Sequence, residues 1–270
     1  MSRGRVIVKL LAALVAVAAA SAQTRPAFDS FEVATIKPTA LDWTGGRFIR
    51  MQTAHQLIAR NHTLKTLIAA AYNLNFKSIS GGPAWVDSDH FDILAKAPGE
   101  ARPALDEQMA MLRKLLADRF GLAFHREPKE MPIYALTVAR GGCKLTESTV
   151  SPDASPEGPP ALVFVVSPQL VRLPGRSATV AEIASVMQRA ALDRPVVDRT
   201  GLSARYDFDL EFMPDETLFG GMLGKPPAAG ESTKPGLFAA IQEQLGLRLE
   251  ATRGQVDLFV IDKAKQPSEN

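Results

Sequence analysis

The sequence predicts an α+β fold made of two tandem units, each with two helices packed on a small mixed β-sheet in the outline β-α-β-β-α-β-β. Three observations predict it. A short pattern recurs in the two halves, stretches with period-two alternation read as strands, and each half carries two apolar stripes at helical spacing.

The recurrence is clearest where Leu57-Ile58-Ala59-Arg60-Asn61-His62-Thr63-Leu64 is set against Leu173-Pro174-Gly175-Arg176-Ser177-Ala178-Thr179-Val180. At a constant offset of 116, Leu, Arg and Thr repeat and Asn61 faces Ser177. Both segments open a helix. Leu64, Leu67, Ile68, Ala71 and Tyr72 keep helical spacing in the first, and Val180, Ile183, Ala184 and Met187 in the second. Thr179 and Glu182 have capping-box spacing, which predicts the second start.

A Pro-bearing segment and a strand follow in each half: Gly81 to Asp87 before Phe91-Asp92-Ile93, and Arg194 to Asp198 before Tyr206-Asp207-Phe208. Tyr206, Phe208, Leu210 and Phe212 alternate with Asp207, Asp209 and Glu211, so one face is expected dry and the other wet. The second helices are marked by Leu105, Met109, Leu112, Leu115, Leu116 and Phe120, and by Leu237, Ala240, Ile241 and Leu245. They stop at Gly121 and Gly246, where a left-handed C-cap fits. Closing strands are expected at 133–138 and 256–261.

These elements divide the chain into a leader at 1–22, a first unit at 23–145, a Ser/Thr/Pro-rich linker at 146–160 and a second unit at 161–270. The second unit contains an irregular stretch at 215–236, long enough to be functional or mobile. The leader carries Arg3, Arg5 and Lys9, then an uncharged run to Ala20, then the small residues Ala20-Ser21-Ala22. That pattern predicts export with cleavage between Ala22 and Gln23, giving a periplasmic or secreted protein. The run is too short to span a bilayer, so no transmembrane anchor is expected after cleavage.

Loss of the leader leaves 28 basic against 29 acidic side chains, net −1, where the full chain is +2. A basic surface for nucleic acid therefore has no support. Cys143 is the single cysteine, so no internal disulfide can form.

No catalytic, cofactor or metal constellation is legible. His55, His62, His90 and His125 stand in no metal-ligand or nucleophile spacing, and no Gly-x-Ser-x-Gly elbow occurs. Surface or capping roles are expected for His62 and His125. Asp207, Asp209 and Glu211 read as the wet face of a strand rather than a calcium loop. The candidate interaction residues are Trp85, beside Gly81-Gly82-Pro83, with Arg194 and Arg199 around Pro195-Val196-Val197. To these the long loop adds Phe219, Met222 and Leu223 as exposed apolar contacts. Trp85 is read as either a core plug or an anchor for a partner.

Several motifs together resemble a soil-associated, acidobacterial secreted family of unknown function. They are Phe31-Glu32-Val33-Ala34-Thr35-Ile36-Lys37-Pro38, Gly81 to Trp85, Leu115-Leu116-Ala117-Asp118-Arg119-Phe120, Arg194 to Leu202 with Arg205 to Phe208, and the ending Val260-Ile261-Asp262. Each half is also loosely similar to the short N-terminal domain of secretins and TonB-dependent transducers, through the Leu115 to Leu122 spacing. That second likeness implies a module contacting proteins in the periplasm. The expectation is a non-enzymatic extracytoplasmic binding or interaction module with a protein partner. The alternatives are a cell-wall enzyme using Asp and Glu, and a small-ligand binder using the crevice between units.

Overall fold

The computed structural model describes residues 27–150, 162–167, 169–221 and 234–267. The leader, most of the linker and the middle of the long loop lie outside the described residues.

In the first half, β1 (Val33–Pro38), β2 (Phe48–Met51) and β3 (Gln56–Thr63) lead into α1 (Leu64–Ala71). Then come β4 (Ile79–Gly81), the single-turn α2 (Trp85–Ser88), β5 (His90–Lys96), α3 (Leu105–Phe120) and β6 (Ala123–Val138). The second half contains β7 (Thr146–Glu147), β8 (Val165–Val166), β9 (Val171–Thr179), α4 (Val180–Val186), β10 (Val196–Asp198), β11 (Arg205–Phe212), α5 (Leu237–Ala240) and β12 (Leu247–Lys263). A π-turn extends α4 over Met187–Ala191, and another extends α5 over Ile241–Leu245. The protein is mixed α+β, with three four-stranded sheets ordered β1-β5-β3-β2, β10-β6-β12-β4 and β7-β11-β9-β8.

The repeated Arg-Asn and Arg-Ser pairs prove to be bulges. On β3, Arg60 and Asn61 lie between Ala59, paired with Ile93, and His62, paired with Phe91, so two residues oppose Asp92 alone. On β9, Arg176 and Ser177 oppose Asp207 in the same way. Asn61 and Ser177 take φ of 57° and 50°, left-handed values that non-glycine residues rarely adopt. Each has its N–H held by the opposing aspartate, at 3.0 and 2.7 Å. Burial alone would raise the pKa of Asp92, but the Asn61 N–H, the Arg60 guanidinium and the Thr39 hydroxyl outweigh it and hold the carboxyl low.

Helix termini follow the sequence signals. Thr63 caps α1 by accepting from the Thr66 N–H. Thr179 and Glu182 form the reciprocal box, with the Thr179 N–H donating to Glu182 at 2.7 Å. Gly121 and Gly246 end the second helices at φ of 54° and 66°. At Gly246 a Cβ would lie 2.1 Å from the Gly142 carbonyl oxygen, so that position excludes any side chain.

The strands after the second helices differ from the expectation of a separate sheet for each half. Each is continuous with its closing strand, giving β6 and β12 lengths of 16 and 17 residues, and the two pair antiparallel from Leu247↔Val138 to Lys263↔Ala123. The short strands β4 and β10 add in parallel at opposite edges, β4 on Phe259 to Ile261 and β10 on Tyr134 to Leu136. The closing segments are thereby exchanged. Phe259 and Ile261 of β12 sit in the core with Leu64, Leu67, Leu112, Leu116 and Phe120 of the first half. Leu136 of β6 sits with Val180, Ile183, Phe208 and Phe212 of the second.

The linker also departs from expectation at its start. Thr146 and Glu147 form β7, an edge strand paired with Asp207 and Tyr206.

Because Phe259 is fully buried, with its ring 3.8 Å from Phe124 and 4.8 Å from Tyr72, Phe259→Ala should cost about 3–5 kcal/mol. Hydrogen exchange should show the loss in α1 and α3, which lie in the other half of the chain. Weakened protection confined to α4, α5 and β11 would show that β12 supports only its own half.

Candidate functional site

A cleft of about 620 Å³ opens where the halves meet, between α1, α3 and α4. Its volume falls within the usual range of small-ligand sites. Ala70, Ala71 and Tyr72 form one wall from the end of α1, Leu105 and Met109 a second from the start of α3, and Val186 a third from α4. Charge enters through Arg113 of α3 and Arg189 of the π-turn, with Asp106 and Glu182 at the edges.

The positions of these groups are fixed by local bonding. Arg113 Nη1 donates to the Ala71 carbonyl at 2.7 Å, and its guanidinium lies 5.8 Å from the centre of the Tyr72 ring. Glu182 is committed to the Thr179 N–H and to Arg205, 3.4 Å away. The Arg189 side chain is exposed, but nearby protein strips enough water from its guanidinium to lower its pKa. Among the described residues it has no hydrogen-bond or ion-pair partner.

A polar clasp ties the walls to each other. The buried Asn75 amide donates to the Gln188 and Leu192 carbonyls at 2.7 and 3.1 Å, while its oxygen accepts from the Lys77 N–H. Gln188 returns the contact by donating to the Asn73 carbonyl and accepting from the Val196 N–H, both at 3.1 Å. Asn73 and Arg189 border the cleft, so the clasp positions both rims.

The residues singled out from sequence are not brought together at this cleft. Trp85 is half-buried, with Phe91 and Phe120 6.2 and 6.4 Å from its ring, which makes it an edge of the first core. Arg194 lies over the Tyr134 ring at 5.2 Å and 3.6 Å from Asp193, whose carboxylate also takes Lys77 and the Tyr134 hydroxyl. Arg199 is exposed beside β6, with its N–H donating to Leu136. Phe219 is a correction to the expectation of an exposed contact. It is buried against Phe164 and belongs to the second core. Met222 and Leu223 lie outside the described residues.

Arg113, Arg189 and Asn75 were not visible as site residues in the sequence. The one available signal is that Leu105, Met109 and Arg113 fall at successive i, i+4 positions along one side of α3. The carboxylates of β11 have separate partners: Asp207 caps Ser177, Asp209 pairs with Arg176, and Glu211 pairs with Arg172 and Lys234.

The folded chain is thus an α+β protein with a cleft between its halves, and among the described residues no three His, Cys, Asp or Glu side chains cluster so as to hold a metal ion. It belongs to the family described as protein of unknown function (DUF3738), whose model matches residues 65–264. No curated protein and no solved structure matches it. No helix among the described residues is long and apolar enough to cross a membrane.

His62 corrects the expectation of a surface or capping histidine. It is buried under the bulge, its Nδ1 is 3.1 Å from the Thr66 hydroxyl, and its Nε2 has no partner at hydrogen-bonding geometry. Burial and the charges of Arg47 and His90 bring its pKa down to about 3, against weaker opposing effects of the Phe48 backbone and Asp92. The unfolded chain therefore binds a proton at His62 between pH 6.5 and 3 that the folded chain refuses. Stability should fall as pH drops through that window, by about 1.4 kcal/mol per pH unit from this group. Denaturant titrations between pH 6.5 and 5 should show a shallower slope for His62→Phe than for the wild type. Identical slopes would remove His62 as the cause.

Proposed function

We propose that this protein is an exported, non-enzymatic binding module that holds its ligand in the cleft between the halves. The observation that carries the reading is the cleft itself, a predominantly apolar space of about 620 Å³ with few polar groups converging on it. Its described lining contains no histidine or cysteine, and Ser185 is its only aliphatic hydroxyl. Of its two carboxylates, Glu182 is held by its own helix cap and Arg205. A glycosidase-like pair would need both carboxylates free to address one bond.

Export rests on the leader pattern at 1–22 and its small-residue cleavage site. The loose likeness of each half to the short N-terminal domain of secretins supports a role outside the cytoplasm. Duplication of an ancestral unit is supported by the matching bulges at Asn61 and Ser177 and by their matching aspartates.

Two measurements test these parts separately. Protein recovered from a native exporting host should begin at Gln23 by mass analysis, and an intact Met1 would overturn export. In a thermal-shift screen of small molecules, compounds that raise the wild-type midpoint should have no effect on Ala70→Trp, whose indole would fill the cleft. A screen in which every stabilising compound acts equally on both proteins would overturn the cleft as the binding site.

A further inference from the structure

We infer that the cleft selects a small molecule with an apolar body and a single carboxylate, placed so that Arg189, assisted by Arg113, receives the anion. The inference rests on the binding role proposed above.

Three observations converge on this class. The first is the apolar wall: Ala70, Ala71, Met109 and Val186 offer an aliphatic or aromatic body no hydrogen bonds, and Tyr72 adds an aromatic surface. A strongly polar ligand would lose hydration there without replacement.

The second is the charge balance. Glu182 is neutralised by Arg205, which leaves Asp106, among the described residues, as the one carboxylate of the lining without such a partner, against two guanidiniums. Arg113 spends one nitrogen on Ala71 and lies over the Tyr72 ring, and its further N–H groups can still donate. No described residue occupies the Arg189 fork. An arginine with no partner among the described residues, standing beside an apolar wall, is best compensated by a planar anion that accepts two parallel hydrogen bonds. Counted over the described lining, the excess of one positive charge matches a monoanion and disfavours a cation.

The third is placement. Arg189 sits within the π-turn Met187–Ala191, which widens the helix at the point where Gln188 is clasped by Asn75. A second π-turn at Ile241–Leu245 lies away from the cleft, so the turn type alone does not define the site. What distinguishes Met187–Ala191 is that residue 188 is anchored to the other half while residue 189 borders the cavity. The guanidinium is therefore carried on backbone held by both halves, as a preorganised binding group should be.

Calorimetry with three probes of one shape tests the inference: phenylbutyrate, phenylbutanol and phenylbutylamine, titrated into the full chain. The acid should bind about tenfold or more tightly than the alcohol, and the amine should bind most weakly. Arg189→Met, at an exposed position, should abolish the preference for the acid while leaving alcohol binding within about twofold. Arg113→Met should reduce the preference in part, and Ala70→Trp should remove binding of all three.

Equal affinity of acid and alcohol for the wild type would overturn the carboxylate assignment while leaving the cleft as an apolar binding site. An acid preference that survives both arginine substitutions would also overturn it, because the anion would then be held elsewhere. Failure of all three probes to bind would overturn the inference too, and the broader screen against Ala70→Trp would still decide the binding role on its own.

Discussion

The antiparallel pairing of β6 with β12 is the constraint on which the rest of this structure depends. Strands of 16 and 17 residues are about three times the usual length, and each serves two cores. Burial along them divides accordingly. Leu136, Leu247 and Leu249 are dry at one end, and Phe259 and Ile261 at the other. Most residues between, such as Arg126 to Glu130, face water. Neither core is closed until the partner half supplies its strand. The three-residue strands β4 and β10 bind only at the ribbon's ends, and through them α1 and α4 are hung from the same ladder. The separation of those helices, and hence the width of the cleft, is set by the ribbon.

A ladder alone would allow the helices to roll about the strands that carry them. The Asn75–Gln188 clasp removes that freedom. Its bonds reach main-chain carbonyls at the end of α4 from a side chain that is 1% exposed. A buried amide with its donors and acceptor satisfied adds a modest net stability, but leaving its partners unsatisfied costs more, about 1–3 kcal/mol for each group. The surface ion pairs around the cleft cannot match this. Lys77–Asp193 and Arg205–Glu182 are both well exposed, and such pairs contribute up to about 1 kcal/mol. The buried network therefore decides the geometry of the site, and the exposed charges decorate it.

What was legible in the sequence follows from this division. Helix starts and stops were readable because their chemistry is local: Thr179 and Glu182 form the cap, and Gly121 and Gly246 take the left-handed turn. The recurrence of Arg60-Asn61 in Arg176-Ser177 was visible as a pattern, but its meaning as a bulge was not, because the aspartates that hold it lie on other strands. Strand exchange left no local mark. Ile133 to Val138 and Val256 to Ile261 alternate as closing strands do, and alternation does not say which core they close. Phe219 misled for a related reason. A Phe beside Gly220-Gly221 in an irregular stretch reads as exposed, while the structure turns its backbone to a φ of 54° and its ring inward onto Phe164. The cleft was the least legible feature. Arg113 and Arg189 lie 76 residues apart in sequence, each beside an ordinary apolar stripe, and only the ribbon brings their helices together.

The cleft also lies where the second helices of the two halves differ in length. Aligned on their capping glycines, Gly121 and Gly246, the second helices are unequal. The first runs Leu105–Phe120, whereas α5 with its π-turn runs Leu237–Leu245, so that Leu237 falls opposite Leu112. The segment from Leu105 to Met111 thus has no helical counterpart among the described residues of the second half. Leu105, Asp106 and Met109, which build the α3 wall of the cleft, all come from that extra length. The shared parts of the two halves, the bulges, caps and ribbon, account for the stability of the fold. The cleft wall is added where one half extends beyond the other. A site made in this way needs no change in the common framework, because the extra helical turns stand on a core already closed by Leu112, Leu116 and Phe259. Its chemistry is then set by side chains on the rim, with the guanidiniums of Arg113 and Arg189 on opposite halves and an apolar surface between them.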